Sequence, residues 1–277
     1  MLKGYIAFVL HLHLPFVRHP EHERFLEEDW LFEAVSETYL PLLEVFERLE
    51  REGVGFRLTL SVSPTLAEML RDKLLLERYE GHLGRLIELA EREVRRTRRD
   101  PAFAPLADMY LRRFRGCLES FNGKYGRDLL QALSGLQKRG FLELITSGAS
   151  HAFLPVIAPV PETVRAQVEL GVRSHIRHFG DYPKGFWLPE CGYYPGVEEF
   201  LKDCDLRYTF LEAHGILYAD RRPRYGVYAP LYCPNRVAAF GRDPASARAV
   251  WSSEEGYPGD PVYREFYRDI GFELPLE

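Results

Sequence analysis

Short apolar runs alternate with longer amphipathic stretches along most of this chain, and no other feature restricts its fold as strongly. The runs lie at residues 4–10 (GYIAFVL), 56–62 (FRLTLSV), 141–146 (FLELIT), 185–188 (GFWL), 207–211 (RYTFL) and 236–240 (RVAAF). Each is rich in β-branched or aromatic residues and bounded by turn formers, which predicts a strand. Between them, residues 31–51 (interrupted by Pro41), 64–99, 102–115, 127–138 and 161–179 carry helical periodicity. Such alternation predicts βαβ units and a mostly parallel α/β sheet. The stretch from 62 to 141 is too long for one crossover, so a helical insertion is expected after the second strand, over about residues 64–139. At 277 residues the chain is long enough to bury a core without disulfides or a structural metal.

Composition removes several function classes. A net charge of -5 gives no general attraction to nucleic acid or anionic lipid. No run of about 18 apolar residues is present, so no transmembrane helix is expected. The first apolar run lacks a small-residue cleavage site and reads as a strand rather than a signal peptide. Cys117, Cys191, Cys204 and Cys233 form no CxxC pair, which favours free thiols in a reducing cytoplasm over a Cys191–Cys204 bridge. Thirty arginines against six lysines, with two asparagines and three glutamines, resemble proteins of hot environments, although a GC-rich genome also favours arginine. The basic run at 92–99 (REVRRTRR) reads as a solvated helix face.

In parallel α/β folds, chemistry gathers beyond the carboxyl ends of the strands. After the first run come His11 and His13, whose i, i+2 spacing on extended chain puts both on one face. Such a pair serves as metal ligands, as hydrogen-bond partners of a polar ligand, or as satisfied buried histidines. After the third run, a glycine-containing turn brings His151 to the same rim. After the fourth, Glu190 leaves the strand among Trp187, Tyr193 and Tyr194. Aromatic rings stack on sugar faces and an apolar setting tunes a carboxylate, while the plainer alternative is a helix-capping glutamate. Glu212 and His214 follow the fifth run. Trp251 is either a sugar platform or a core residue, and Asp260 is a candidate turn cap before residues 262–269. The histidine pair also leaves open a metal-dependent hydrolase such as a polysaccharide deacetylase, although no HxxxH or Asp-Asp signature stands near it. A Cys191–His151 thiol nucleophile is a further alternative, but Glu190 has the better setting.

Taken in order, five motifs resemble glycoside hydrolase family 57, the family of α-glucan branching enzymes, amylases and glucanotransferases. They are His11-Leu12-His13-Leu14-Pro15, Glu37-Thr38-Tyr39-Leu40-Pro41-Leu42, Thr146-Ser147-Gly148-Ala149-Ser150-His151, Trp187-Leu188-Pro189-Glu190-Cys191-Gly192-Tyr193, and Trp251-Ser252 with Gly256-Tyr257-Pro258-Gly259-Asp260-Pro261. The second is similar to the branching-enzyme and related amylase branch. The resemblance implies a distorted (β/α)7-type barrel, here incomplete, and a retaining double displacement on an α-glucan such as amylose, glycogen or a maltooligosaccharide. By motif position, Glu190 looks like the nucleophile, and His11, His13 and His151 look like donor-subsite residues. Trp251 looks like an aromatic wall, with Trp30 as a second; His214, from its strand-end position rather than from the resemblance, is either a substrate-binding or a hydrogen-bonded supporting group. The resemblance implies no metal and no organic cofactor, and the sequence carries no signal for an oligomeric state.

Two departures qualify those expectations. Retention uses a second carboxyl about 5–5.5 Å from the nucleophile. The family supplies it as an aspartate well downstream of the Trp251 segment, and Asp243, Asp260 and Asp269 do not match that motif. The chain is therefore expected to be the N-terminal part of a longer enzyme, without the family's C-terminal helical domain. On its own it is either active or a glucan-binding fragment. The connection from His214 to Trp251 also lacks a long glycine-rich loop. A lid there would exclude water and favour transfer, so hydrolysis of α-1,4-glucans stands beside branching.

Overall fold

The computed structural model describes residues 4–260 and 262. In chain order the elements are β1 (Val9–Leu12), α1 (Leu26–Ala34), α2 (Leu40–Arg51), β2 (Leu58–Val62), α3 (Pro64–Met69), α4 (Lys73–Thr97), α5 (Ala104–Glu119), α6 (Leu129–Lys138), β3 (Leu142–Ser147), α7 (Leu154–Ile157), α8 (Pro161–Phe179), β4 (Gly185–Trp187), α9 (Val197–Asp203), β5 (Tyr208–Leu211), α10 (Ala213–Leu217), β6 (Leu231–Tyr232), β7 (Ala238–Gly241) and α11 (Pro244–Trp251). One seven-stranded sheet runs in the order β1-β2-β3-β4-β5-β7-β6, parallel throughout except where β6 pairs antiparallel with β7. It curls without closing: β1 and β6 remain edges among the described residues, yet His11 of β1 touches Trp187 of β4 across the concave side. This is the expected incomplete (β/α)7-type barrel.

Two differences from the sequence reading have clear causes. The first run forms ladder only from Val9, because β2 begins at Leu58 and the register sets Val9 against Thr59. That shift takes His11 into the strand and leaves His13 just beyond it. The two-residue β6 has too short a pattern to be read, and only its antiparallel pairing with β7 defines it.

The helices follow local chemistry. Pro41 lacks an N–H, and the chain absorbs the lost bond in a π-turn, Val35–Tyr39, between α1 and α2. Asp72 caps α4 by accepting from Leu75 N at 3.1 Å, and Asp128 caps α6 from Gln131 N at 2.9 Å. Gly180, at φ +77°, ends α8. The insertion is built largely of α4 packed on α5, and the arginines at its 92–99 end lie mostly exposed, as a solvated face. One core cluster joins β1–β3 to α1–α6, and a second lies under α7–α10. All four cysteines are free, and among the described residues no helix is long and apolar enough to cross a membrane.

Helix α8 carries a pH-sensitive group. His175 is 3% exposed, neither of its ring nitrogens is hydrogen-bonded, and its ring packs on Phe179 at 4.8 Å. Burial pushes its pKa down to about 4, against a partial opposing effect of Asp181. The unfolded chain therefore takes up a proton below about pH 6.5 that the folded chain refuses, so stability falls as pH drops toward 4. Between pH 7 and pH 5 the unaltered chain is expected to lose about 2 kcal/mol more unfolding free energy than a His175→Leu variant. Urea melts at the two pH values measure this, and equal pH dependence in both chains would contradict it.

Candidate active site

Residues at the carboxyl ends of β1, β2, β3 and β4 meet on the concave side of the sheet. In the β1–β2 register His11 lies opposite Ser61, and its Nδ1 is 3.1 Å from Ser61 Oγ. Two residues on, His13 Nδ1 is 2.9 Å from Ser63 Oγ. His151 Nδ1 meets Ser147 Oγ at 3.1 Å, and Ser147 Oγ donates to Trp187 O at 2.7 Å. The rings stack: His13 on His151 at 3.6 Å between centroids, His11 on His151 at 5.0 Å, and His11 on Trp187 at 4.5 Å with 11° between planes.

The hydrogen-bond network assigns the tautomers of two imidazoles. Ser147 spends its proton on Trp187 O, so its oxygen accepts from His151 Nδ1–H. Neutral His151 then carries a bare Nε2, and His11 Nε2–H donates to it across 3.4 Å. His11 Nδ1 in turn accepts from Ser61 O–H. Burial, and then neighbouring side chains, push the pKa of His11 and of His151 down to about 3. Burial also lowers that of His13. The cluster is thus uncharged near neutral pH, which suits the neutral hydroxyls of a sugar better than an anion.

Glu190 sits on a turn of three residues after β4, Pro189–Cys191. Its φ of 54° and that of Cys191, 53°, put two successive side-chain-bearing residues in the left-handed region, as does the 58° of His151. Each such conformation costs of order 1–3 kcal/mol and persists only where its surroundings over-determine it. Here the turn is closed by Cys191 N to Leu188 O at 2.8 Å and Gly192 N to Pro189 O at 3.0 Å. The result aims a carboxylate whose side chain is 76% exposed over His151, which is 5% exposed. Glu190 Oε1 stands 3.8 Å from His151 Nε2, and with that imidazole neutral the approach is dipolar rather than an ion pair. Cys191 is buried and its thiol is pushed up to about 11, which removes thiolate character at neutral pH. Among the described residues, no group of three or more His, Cys, Asp or Glu has metal-holding geometry.

The structure thus brings His11, His13, His151 and Glu190 together. Trp30, 46% exposed on α1, Trp251, 64% exposed at the end of α11, and the exposed His214 of α10 have no hydrogen bond or ring contact to the cluster among the described residues. Asp243 caps α11 through Ser246 N at 2.9 Å, and Asp260 accepts from Val262 N at 2.9 Å. Asp269 lies outside the described residues. Sequence reasoning passed over Ser61, Ser63 and Ser147, the hydroxyls that orient the imidazoles. Their signal was spacing: Ser61 near the end of β2 and Ser63 just beyond it repeat the i, i+2 interval of His11 and His13 at the end of β1. It also passed over Arg242, which donates to Glu212 Oε2 at 2.8 Å, and for which no motif stood out.

Comparison with known proteins follows the same lines. Residues 7–263 match the profile of glycosyl hydrolase family 57. The chain is 36% identical, over 96% of its length and 42% of the relative's, to a 1,4-alpha-glucan branching enzyme of Thermococcus kodakarensis. Among solved structures it is similar to the alpha-amylase AmyC of Thermotoga maritima, with a TM-score of 0.92 and 47% identity, over 99% of this chain and 52% of that one. It is also similar to a family 57-type branching enzyme of Pyrococcus horikoshii, with a TM-score of 0.85 and 34% identity, over 96% and 52%. The chain therefore spans about half the length of these relatives.

Proposed function

The chain belongs to glycosyl hydrolase family 57, and from that premise we propose that the whole protein transfers glycosyl units of α-1,4-glucans by a retaining mechanism through Glu190. The observation that carries the reading is the placement of Glu190: an exposed carboxylate on a strained strand-end turn, over a stack of neutral imidazoles. His13 Nε2, which carries no bond within the cluster, and the Nε2 atoms of His11 and His151, once a sugar hydroxyl takes the place of the 3.4 Å bond between them, hydrogen-bond hydroxyls of the donor sugar, and Glu190 attacks the anomeric carbon from the opposite side to the leaving oxygen. A glycosyl-enzyme ester forms as the glycosidic C–O bond breaks and the leaving oxygen takes a proton from a second carboxyl, the role the family gives to an aspartate downstream of the Trp251 segment; that carboxylate then takes the proton of an incoming sugar hydroxyl or water, and this second displacement releases the product with its configuration retained. Trp30, Trp251 and His214 contact sugar units farther from the bond that breaks. No metal or organic cofactor enters this chemistry.

Branching, with new α-1,6 linkages, is the first reading, supported by the names of the Thermococcus and Pyrococcus relatives. Hydrolysis is the second. It is favoured by the higher identity to a protein called an alpha-amylase, and by the short path from α10 to β7, which holds only a turn at Gly226–Tyr228 and β6. Incubation of the whole protein with amylose, following branch points and reducing ends, separates the two. New α-1,6 linkages at nearly constant reducing ends are expected. Rising reducing ends without new branches would replace the branching reading by hydrolysis.

A further inference from the structure

Glu190 does not hold its own conformation. Its backbone is left-handed, its side chain is largely exposed, and among the described residues the side chain that approaches it, at 3.8 Å, is a neutral imidazole. Two backbone bonds close the turn, and the side chains of Trp187 before it and of Cys191 at its end offer further purchase on the direction of the carboxylate. One side chain reaches both. Arg242, the residue after β7, places its guanidinium 5.9 Å from the centre of the Trp187 ring, and close enough to the Cys191 thiol to work against the effect of burial on it. It is anchored in turn. Its backbone N–H bonds Leu211 O at 3.1 Å, and its Nη1 donates to Glu212 Oε2 at 2.8 Å. Glu212 is itself tied to the first turn of α10, where Oε1 accepts from Ala213 N at 3.3 Å.

We propose that Arg242 is the positioning residue of Glu190: braced by Glu212, its planar guanidinium clamps Trp187 and Cys191 and so fixes the direction of the carboxylate between them. The clamp also reaches the histidines, since Trp187 stacks on His11 with its ring and accepts from Ser147 with its carbonyl. Arginine is the residue for this task. It presents several donors in a rigid plane and packs on aromatic faces, where lysine offers a single flexible point charge.

The proposal rests on the reading of Glu190 as nucleophile, and the test is chosen to separate the two. The probe is α-maltotriosyl fluoride bearing a second fluorine on the donor ring, which slows hydrolysis of the ester once formed. A Glu190 oxygen bonds to the anomeric carbon, the C–F bond breaks, and fluoride leaves with the bonding pair. No proton moves, so no acid is needed. The labelling rate is followed by intact mass, with maltotriose affinity by calorimetry and melting temperature measured beside it.

Because a misplacement of about 1 Å costs about 10²-fold, Arg242→Gln is expected to slow labelling about 10²-fold. Arg242→Lys, which restores the charge without the plane, should stay at least about 10-fold slow. Maltotriose affinity should change less than about threefold in both, because a positioning group acts on the reacting step more than on ground-state binding. If the glutamine variant does not fold, the lysine variant carries the test. Labelling at the unaltered rate in either variant, or a loss matched by an equal loss of maltotriose affinity, overturns the proposal and leaves Glu190 as nucleophile. Absence of label on the unaltered chain removes the nucleophile reading itself, and the proposal with it.

Discussion

Glu190→Gln is expected to slow fluoride release from α-maltotriosyl fluoride by about 10⁴-fold or more, the scale on which loss of a residue acting within a catalytic unit is felt. The leaving fluoride needs no proton, so the whole loss belongs to the attacking carboxylate. Glutamine keeps the shape of the side chain and its reach toward His151, but its amide oxygen does not form the ester. Because that side chain is 76% exposed, stability should hardly move. A melting temperature near that of the unaltered chain, together with the rate loss, separates chemistry from folding. Near-normal turnover would make Glu190 a cap of its turn and nothing more.

The second large effect lies one layer below the site. A β-carbon on Gly171 would stand 2.2 Å from Ser147 O. Neither partner yields easily. Ser147 is paired with Trp187 in the sheet, and Gly171 sits between Val168 and Val172, both buried on α8. The close approach is used by further bonds: Thr146 Oγ1 donates to Gly171 O at 3.0 Å, and Ala149 N donates to Gln167 O at 3.0 Å. Forcing α8 away from β3 therefore shifts the segment that sets His151. Gly171→Ala is expected to destabilise by about 3 kcal/mol or more, at the upper end of what overpacking costs. Gly84→Ala, in the middle of α4 with open space around it, should be stabilising by up to about 1 kcal/mol. Chemical denaturation of the two variants checks the contrast, and equal stability would show that helix and strand can separate at no cost.

The parallel architecture was legible because six runs were strongly apolar and the longer stretches between them were amphipathic. Four members of the candidate site, His11, His13, His151 and Glu190, stood out because each lies within five residues of the end of a run and carries chemistry unusual for a strand end. Their supports were not. Ser61 and Ser63 looked like ordinary polar residues until the β1–β2 register placed them beside the histidines. Arg242 is one of thirty arginines, and its reach to Trp187 depends on which strands become neighbours when the sheet curls. The order β5-β7-β6 brings Glu212 and Arg242 side by side, although thirty positions separate them in sequence. The π-turn before Pro41 was visible only as an interruption, since a proline announces a lost hydrogen bond but not how the helix absorbs it.

Peptide mapping of the chain after reaction with the fluorinated maltotriosyl fluoride tests the central claim most directly. The account predicts one added glycosyl unit, carried as an ester on Glu190 in the segment from Trp187 to Tyr193. An unlabelled chain, or a label on any other carboxylate, would contradict it.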